Sequence, residues 1–188
     1  EQVSDRDAMS LYEELAIEDI QATADILQPV YQQTNRRDGY VSLEVSPYLA
    51  NDTDQTIKEA RRLWQAVGRE NLMVKVPATK AGIPAIQQLI SEGININVTL
   101  LFDRKYYEQV AEAYITGLET LAKSGGDVSQ VSSVASFFIS RIDTSADNQI
   151  MAKIKEAKPA EQEMLKGLLG KVAIANAKLT YQGCQELY

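Results

Sequence analysis

The strongest constraint on the fold is an alternation of strand-like and helix-like segments along most of the chain. Four short runs rich in β-branched and apolar residues predict strands, and a helical repeat of apolar residues separates each from the next. The predicted strands are residues 40–45, 72–76, 94–101 and 133–139. This spacing is typical of right-handed βαβ units. The sequence therefore predicts an α/β fold with about four parallel strands, in an open doubly wound sheet or in part of a (β/α)8 TIM barrel.

Turn-forming residues mark the ends of the predicted helices. The first helix is expected to end at Pro29 and the polar stretch 34–39, and Pro84 fits the first turn of a later helix. From Thr144 onward the pattern predicts only helix, broken near Pro159. No low-complexity linker interrupts the chain, so we interpret residues 1–188 as a single domain, long enough to bury a core.

Each predicted strand carries polar side chains on one face. Fully buried parallel strands normally read as continuous apolar runs, but Glu44, Lys75, Asn97, Thr99 and Ser136 interrupt these. Helices on both faces of an open sheet would bury the two charged groups, which is costly unless they are paired. A barrel gathers such side chains near the carboxyl ends of its strands, where its chemistry takes place. The pattern therefore favours a partial barrel with a shared polar interior.

Lys75 is the sharpest feature, because a lysine inside a parallel strand must be paired or lose its proton. A neutral lysine amine is a good nucleophile toward carbonyls and forms a Schiff base. The structural alternative is an ion pair with Glu44. Glu44 itself is a candidate for orienting a water in proton transfer, or merely for neutralising Lys75.

Three further polar residues are open to a functional and a structural interpretation. Asn97 and Thr99 have the groups to bind a substrate hydroxyl or a catalytic water, or else to satisfy each other. Arg141, just after the fourth strand, is a candidate anion ligand because its guanidinium presents a planar fork of donors. The alternative is a surface salt bridge with Asp143.

Composition excludes several classes of function. The chain has no histidine and only one cysteine, which removes His-based catalytic triads, His metal ligands and an intrachain disulfide. A net charge of −7 and the absence of a basic patch argue against nucleic acid as the main partner. No apolar run is long enough to span a membrane, and the N-terminus does not read as a signal peptide, so we expect a cytoplasmic protein.

Four long motifs, in order and covering essentially the whole chain, resemble the transaldolase family. They are the segments DGYVSLEVSP (38–47), NLMVKVPAT (71–79), GININVTLLF (93–102) and VASFFISRIDT (134–144). The closest likeness is to the bacterial form, including bifunctional transaldolase/glucose-6-phosphate isomerase proteins. The resemblance implies that Lys75 is the Schiff-base lysine and that Glu44 works with a water held by Thr99 as the acid–base relay.

The same resemblance implies the substrate ligands and the reaction. Asn97 and Ser136 would bind substrate hydroxyls, and Arg141 would anchor the sugar phosphate. The implied reaction is part of the pentose phosphate pathway. It transfers a dihydroxyacetone unit from a ketose phosphate, such as sedoheptulose 7-phosphate or fructose 6-phosphate, to an aldose phosphate, and the resemblance implies that it needs no metal or organic cofactor. Two alternatives stay open: a class I aldolase, which releases dihydroxyacetone to water, and a non-catalytic half-barrel that binds sugar phosphates.

The length of the chain departs from the family pattern. A (β/α)8 barrel needs about 250 residues, whereas this chain has 188. We expect the central part of the barrel, without its first two and last two strands and hence without the family's first-strand aspartate and second-strand asparagine. Such a fragment is expected to turn over weakly or not at all. Its two open strand edges are expected to be covered by a second copy, by the absent barrel segments, or by the terminal helices at residues 1–34 and 145–188.

Overall fold

The computed structural model describes residues 8–187, and within that range it contains one four-stranded sheet and seven α-helices. The strands are β1 (Val41–Glu44), β2 (Leu72–Pro77), β3 (Ile96–Leu101) and β4 (Ser133–Phe137). The helices are α1 (Ala8–Gln33), α2 (Thr53–Val67), α3 (Gly82–Ser91), α4 (Arg104–Lys123), α5 (Ser140–Glu156), α6 (Pro159–Lys166) and α7 (Val172–Leu187). Short 3₁₀ helices occupy Pro47–Leu49 and Val128–Gln130. This order confirms the predicted alternation.

The sheet is parallel throughout, with its strands in chain order from β1 to β4. In the register of the sheet, Lys75 of β2 pairs with Glu44 of β1 on one side and with Asn97 of β3 on the other. Parallel strands joined by α2, α3 and α4 are the repeating unit of (β/α)8 barrels. The predicted fold class, a partial barrel of about four strands surrounded by helices, is therefore confirmed.

Two hydrogen bonds show that the sheet is strongly curled. The Asn97 amide nitrogen on β3 donates to the Ser42 hydroxyl on β1 across 3.0 Å, although β2 lies between these strands. The Tyr40 and Ser132 hydroxyls, next to the starts of β1 and β4, lie 2.6 Å apart. Neighbouring strands are about 4.8 Å apart, so side chains bridge strands two and three positions apart only where the inner face is concave. The polar face therefore lines a trough.

The apolar faces of the strands pack outward against α2, α3 and α4. The fully buried members of this layer come from strands and helices alike: Leu72, Val74, Val76, Ile96, Val98, Leu63, Val67, Ile86, Leu89 and Ile90. The Asp52 and Asp103 carboxylates begin α2 and α4 by accepting hydrogen bonds from the Gln55 and Tyr106 amides. The hydrophobic core thus lies entirely on the outer side of the trough.

Helix α1 ends at Gln33, directly before the polar stretch 34–39 that was predicted to end it. Pro29 does not interrupt the helix and lies inside its last turns. Pro29 is exposed, and the turn after α1 contains two consecutive residues with positive φ, Asn35 and Arg36. Ion pairs join α1 to α2 and to the loop that follows α2. They include Arg62 with Glu13 at 2.5 Å and Arg69 with Asp25 at 2.6 Å. The N-terminal helix therefore covers the β1 side of the sheet.

The β4 side is less covered. Val134 is 45% exposed, and α5 has no buried residue. A groove of about 540 Å³ remains between β4, α4 and α7, lined mainly by apolar side chains. Met73, two residues before Lys75 on β2, is nevertheless buried, with 3% exposure. Pairing with a second copy stays a prediction.

None of the helices found between residues 8 and 187 combines the length and the apolar character needed to cross a membrane.

Candidate functional site

The candidate site lies on the concave face of the sheet, toward the carboxyl ends of the strands. Glu44 is the last residue of β1, Lys75 is the fourth residue of β2, and Asn97 stands beside Lys75 on β3. The period of two along each strand places these side chains on the inner face. Glu44 and Lys75 are more than thirty positions apart in sequence, and Lys75 and Asn97 are more than twenty apart. The structure brings them together, as the alternation of polar residues predicted.

Lys75 and Glu44 form an ion pair in this trough. The Lys75 Nζ donates to the Glu44 carboxylate across 3.2 Å, and their side chains are 30% and 48% exposed. Lys75 is thus paired rather than isolated, and it stays partly exposed because no other strand of the described residues faces the trough from the opposite side. The pair places an acceptor beside the amine, and the open trough gives a carbonyl compound access to it.

Asn97 is held by serines on both sides. Its amide nitrogen donates to the Ser42 hydroxyl, and its amide oxygen accepts from the Ser136 hydroxyl at 2.7 Å. The alternative in which Asn97 and Thr99 satisfy each other is therefore wrong. An amide has two donor hydrogens and two acceptor lone pairs, so one of each is left for a ligand. Ser42 was missed as a site residue, although its place two residues before Glu44 puts it on the same face.

Thr99 is almost fully buried, with 1% exposure, and pairs with Pro77 of β2. Its hydroxyl makes no hydrogen bond to any residue between 8 and 187, in contrast to the hydroxyls of Thr56 and Thr79, which donate to the Leu49 and Ala50 carbonyls. The one fully buried polar side-chain atom without a partner in the described residues is the Asn71 Oδ1, so the Thr99 hydroxyl keeps some contact with solvent. This open hydrogen-bonding capacity fits the expectation that a water binds there.

A distortion in β3 follows Thr99 and was not predicted. Leu100 has a φ of 57°, and the pairing with β4 shifts between Val98 and Leu101. A left-handed leucine is strained by about 1–3 kcal/mol, and such bulges redirect side chains next to functional sites. The sequence pattern could not predict this distortion, because the alternation reports only which residues are apolar and not their backbone angles.

Arg141 lies in the first turn of α5, just beyond β4. Its guanidinium sits 4.9 Å from the centre of the Phe138 ring and is in an exposed position. It makes no ion pair with any residue of the described range, so the alternative of a salt bridge with Asp143 is wrong. The Asp143 carboxylate instead accepts from the Ala173 amide at 3.2 Å. Arg141 is thus a cation without an acidic partner at the carboxyl end of the sheet.

No group of three or more acidic or cysteine side chains within residues 8–187 is placed to hold a metal ion. The cationic and neutral groups of the trough are instead suited to an anionic, hydroxyl-rich molecule. The Lys75 amine and the Asn97 amide offer donors, and the Ser136 hydroxyl, whose hydrogen is donated to Asn97, offers acceptor lone pairs.

Comparison with known proteins shows the family of the chain. The family model described as Transaldolase/Fructose-6-phosphate aldolase matches residues 1–187. The chain is 53% identical over 176 residues to Transaldolase 2 of Nostoc sp. PCC 7120, covering 92% of this chain and 46% of that protein. It is 49% identical over 178 residues to the Transaldolase of Trichodesmium erythraeum, covering 94% of this chain and 47% of that protein. The chain thus spans about half the length of these curated relatives.

Proposed function

The chain belongs to the transaldolase/fructose-6-phosphate aldolase family, and we propose that it carries the imine-forming part of a transaldolase site. The observation that carries the proposal is the row of Glu44, Lys75 and Asn97 on the concave face of a parallel sheet. A lysine at mid-strand beside a carboxylate, open to a polar trough, is placed to attack a carbonyl. The relatives named transaldolase share about half of their residues with this chain over the aligned regions.

The first half of the reaction makes the imine and breaks a carbon–carbon bond. The neutral Lys75 amine adds to the C2 carbonyl of a ketose phosphate, and loss of water leaves an iminium. A base takes the proton from the C4 hydroxyl, the C3–C4 bond breaks, and its electron pair moves into the iminium to give an enamine. An aldose phosphate leaves. The Glu44 carboxylate, 3.2 Å from Nζ, accepts the proton that Lys75 must lose before it attacks.

The second half of the reaction transfers the three-carbon unit. The enamine carbon attacks the carbonyl of an acceptor aldose phosphate, whose oxygen takes up a proton, and water then hydrolyses the iminium to free Lys75. A water bound by Thr99 and Glu44 is proposed to relay these protons. The burial of Thr99 and its free hydroxyl support this role.

Substrate hydroxyls and the phosphate are proposed to bind at separate places. Asn97 keeps one donor and one acceptor free, and its neighbour Ser136 is held at 2.7 Å, so the pair suits the hydroxyls of the sugar. Arg141 has no acidic partner in the described chain and suits a phosphate, which the guanidinium fork binds with two parallel hydrogen bonds. A ketose phosphate such as fructose 6-phosphate offers both groups.

A borohydride experiment tests this proposal. The purified chain is incubated with fructose 6-phosphate and reduced with borohydride, and its intact mass is measured by mass spectrometry. We expect one covalent adduct on the native chain and none on Lys75→Ala. Lys80→Ala is the matched control, since Lys80 lies in the loop after β2, and it should form the adduct normally. Equal labelling of Lys75→Ala and the native chain would contradict the proposal.

An aldolase is the second candidate, because the matching family model includes fructose-6-phosphate aldolase. The two reactions share the imine and differ in whether water or an acceptor aldehyde takes the enamine. Free dihydroxyacetone formed without an acceptor would favour the aldolase. Transfer that requires an added aldose phosphate would favour transaldolase.

A further inference from the structure

Two aromatic rings and the Arg141 guanidinium form a three-layer stack beyond the end of the trough. The rings of Phe102, just after β3, and Phe138, just after β4, stack with centroids 5.0 Å apart and an interplanar angle of 24°. The guanidinium of Arg141 lies 4.9 Å from the centre of the Phe138 ring. The stack therefore joins the ends of two neighbouring strands to the first turn of α5.

Among the described residues, the Phe138 ring is the side chain that supports the Arg141 guanidinium. No carboxylate of residues 8–187 pairs with Arg141, and Asp143 is occupied by the Ala173 amide. A guanidinium resting on a ring face keeps the hydrogens at its edges free, whereas one paired with a carboxylate does not. Arg141 is thus oriented and still able to donate.

Helix α7 supports the stack from behind. The Asn176 amide nitrogen donates to the Phe102 carbonyl at 2.8 Å, and the Ala173 amide donates to the Asp143 carboxylate at 3.2 Å. These two hydrogen bonds join α7 to Phe102 and to the first turn of α5. The base of the stack and the backbone near Arg141 are therefore held by the same helix.

We propose that Phe102 and Phe138 are positioning residues that hold the Arg141 guanidinium for the phosphate of the ketose substrate. This inference rests on the proposed function, which gives Arg141 the phosphate. Arginine loses considerable rotamer freedom when it binds a ligand, and a ring that already restricts the guanidinium lowers that cost. Phe138 acts by direct contact, and Phe102 acts by fixing the plane of Phe138.

The test separates the phosphate end of the substrate from the lysine end. The borohydride-trapped imine is titrated with fructose 6-phosphate, which carries a phosphate, and with dihydroxyacetone, which does not. Phe138→Leu should raise the half-saturating concentration of fructose 6-phosphate by about two- to fivefold, as expected for an exposed cation–π contact. Phe102→Leu should act in the same direction with a smaller effect, and Phe102→Tyr, which keeps the ring, should restore the native value. Dihydroxyacetone labelling should not change in these variants.

Two controls distinguish a loss of Arg141 positioning from a general disturbance of the fold. Phe137→Leu is the matched control, because Phe137 is next in sequence but packs against the outer core, and it should leave the fructose 6-phosphate titration unchanged. In an Arg141→Ala background, Phe138→Leu should have no further effect. The inference is overturned if Phe138→Leu and Phe137→Leu behave alike, or if the two compounds are affected equally.

A spectroscopic readout keeps this inference distinct from the proposed function. The ring current of Phe138 should shift the Arg141 Nε–H proton signal upfield, and inorganic phosphate should move that signal at lower concentration in the native chain than in Phe138→Leu. Absence of any imine in the native chain would defeat the proposed function, while the phosphate titration would still decide the positioning role. An unshifted Arg141 signal, or equal phosphate binding by both chains, overturns it.

Discussion

Strands β2 and β3 and strand β4 belong to one sheet but are held in different ways. Val74 and Val98, on β2 and β3, are buried under helices of the same chain, whereas Ala135, which pairs with Val98 from β4 and shares its outward face, is exposed. Lys75 and Asn97 consequently stand on strands that are supported on both edges, while Arg141 follows a strand with a free edge. The lysine end of the site is fixed by the sheet, and the phosphate end depends on aromatic stacking and on α7.

The largest expected effect concerns the free edge of β4. Unpaired parallel strands recruit other strands, and in this curled sheet a two-fold axis along the trough would place β4 of one copy beside β1 of another. We therefore expect the native chain to self-associate at micromolar concentration and Val134→Lys to be monomeric, measured by size exclusion with light scattering. Met151→Lys, at an exposed position of α5, is the control and should associate like the native chain. A monodisperse native monomer would contradict this prediction.

The next effect compares the packing of the two regions directly. Ile96→Ala should lower the free energy of unfolding by about 2–5 kcal/mol, because it empties a completely buried site. Ile139→Ala makes the same chemical change just after β4, where the side chain is partly exposed, and should cost less than about 1 kcal/mol. Urea unfolding of both variants measures the difference. Equal losses would show that β4 is packed as tightly as β3.

A smaller effect is expected from the serine that supports Asn97. Ser42→Ala removes the hydroxyl that accepts from the Asn97 amide and should cost about 0.5–1.5 kcal/mol of unfolding free energy. Ser145→Ala, on α5, should stay within about 0.5 kcal/mol of the native chain. The imine titration with fructose 6-phosphate should also weaken in Ser42→Ala, because Asn97 is no longer held. An unchanged titration in Ser42→Ala would show that Ser42 does not support substrate binding through Asn97.

The smallest expected change in the free energy of unfolding comes from the ion pair between Arg62 on α2 and Glu13 on α1. Hydrogen bonds from Arg62 hold the pKa of Glu13 below its usual value of 4.5. A lowered carboxyl pKa stabilises the fold above the unfolded-state pKa, and this stabilisation is lost as the pH falls through the folded-state pKa. Arg62→Gln should therefore cost about 0.5 kcal/mol at neutral pH and nothing once the carboxyl is protonated. Unfolding curves across the acid range measure this, and a difference that persists in acid would contradict it.

Much of the fold and part of the site could be predicted because both follow from periodicity. The alternation of polar and apolar residues placed Lys75 and Asn97 on one face, and parallel pairing brought them together. The bond from Asn97 to Ser42 could not be predicted, since it depends on how sharply the sheet curls. The direction of Arg141 likewise depends on two rings that the sequence separates by 36 positions, from Phe102 to Phe138.

The errors had local physical causes. Pro29 and the polar stretch 34–39 were expected to end α1 together, but only the polar stretch does so, and Pro29 lies exposed inside the last turns of the helix. The alternative in which Asn97 and Thr99 satisfy each other was wrong because Ser42 and Ser136, on neighbouring strands, hold Asn97. Local patterns report which face a residue occupies and not what covers that face.

The most direct test of the central claim is the position of the trapped imine. After borohydride reduction with fructose 6-phosphate, the chain is digested and its lysine-containing peptides are sequenced by mass spectrometry. The account predicts the adduct on Lys75 alone, in the peptide that contains β2. An adduct on Lys80 or Lys105, or one that survives in Lys75→Ala, would contradict it.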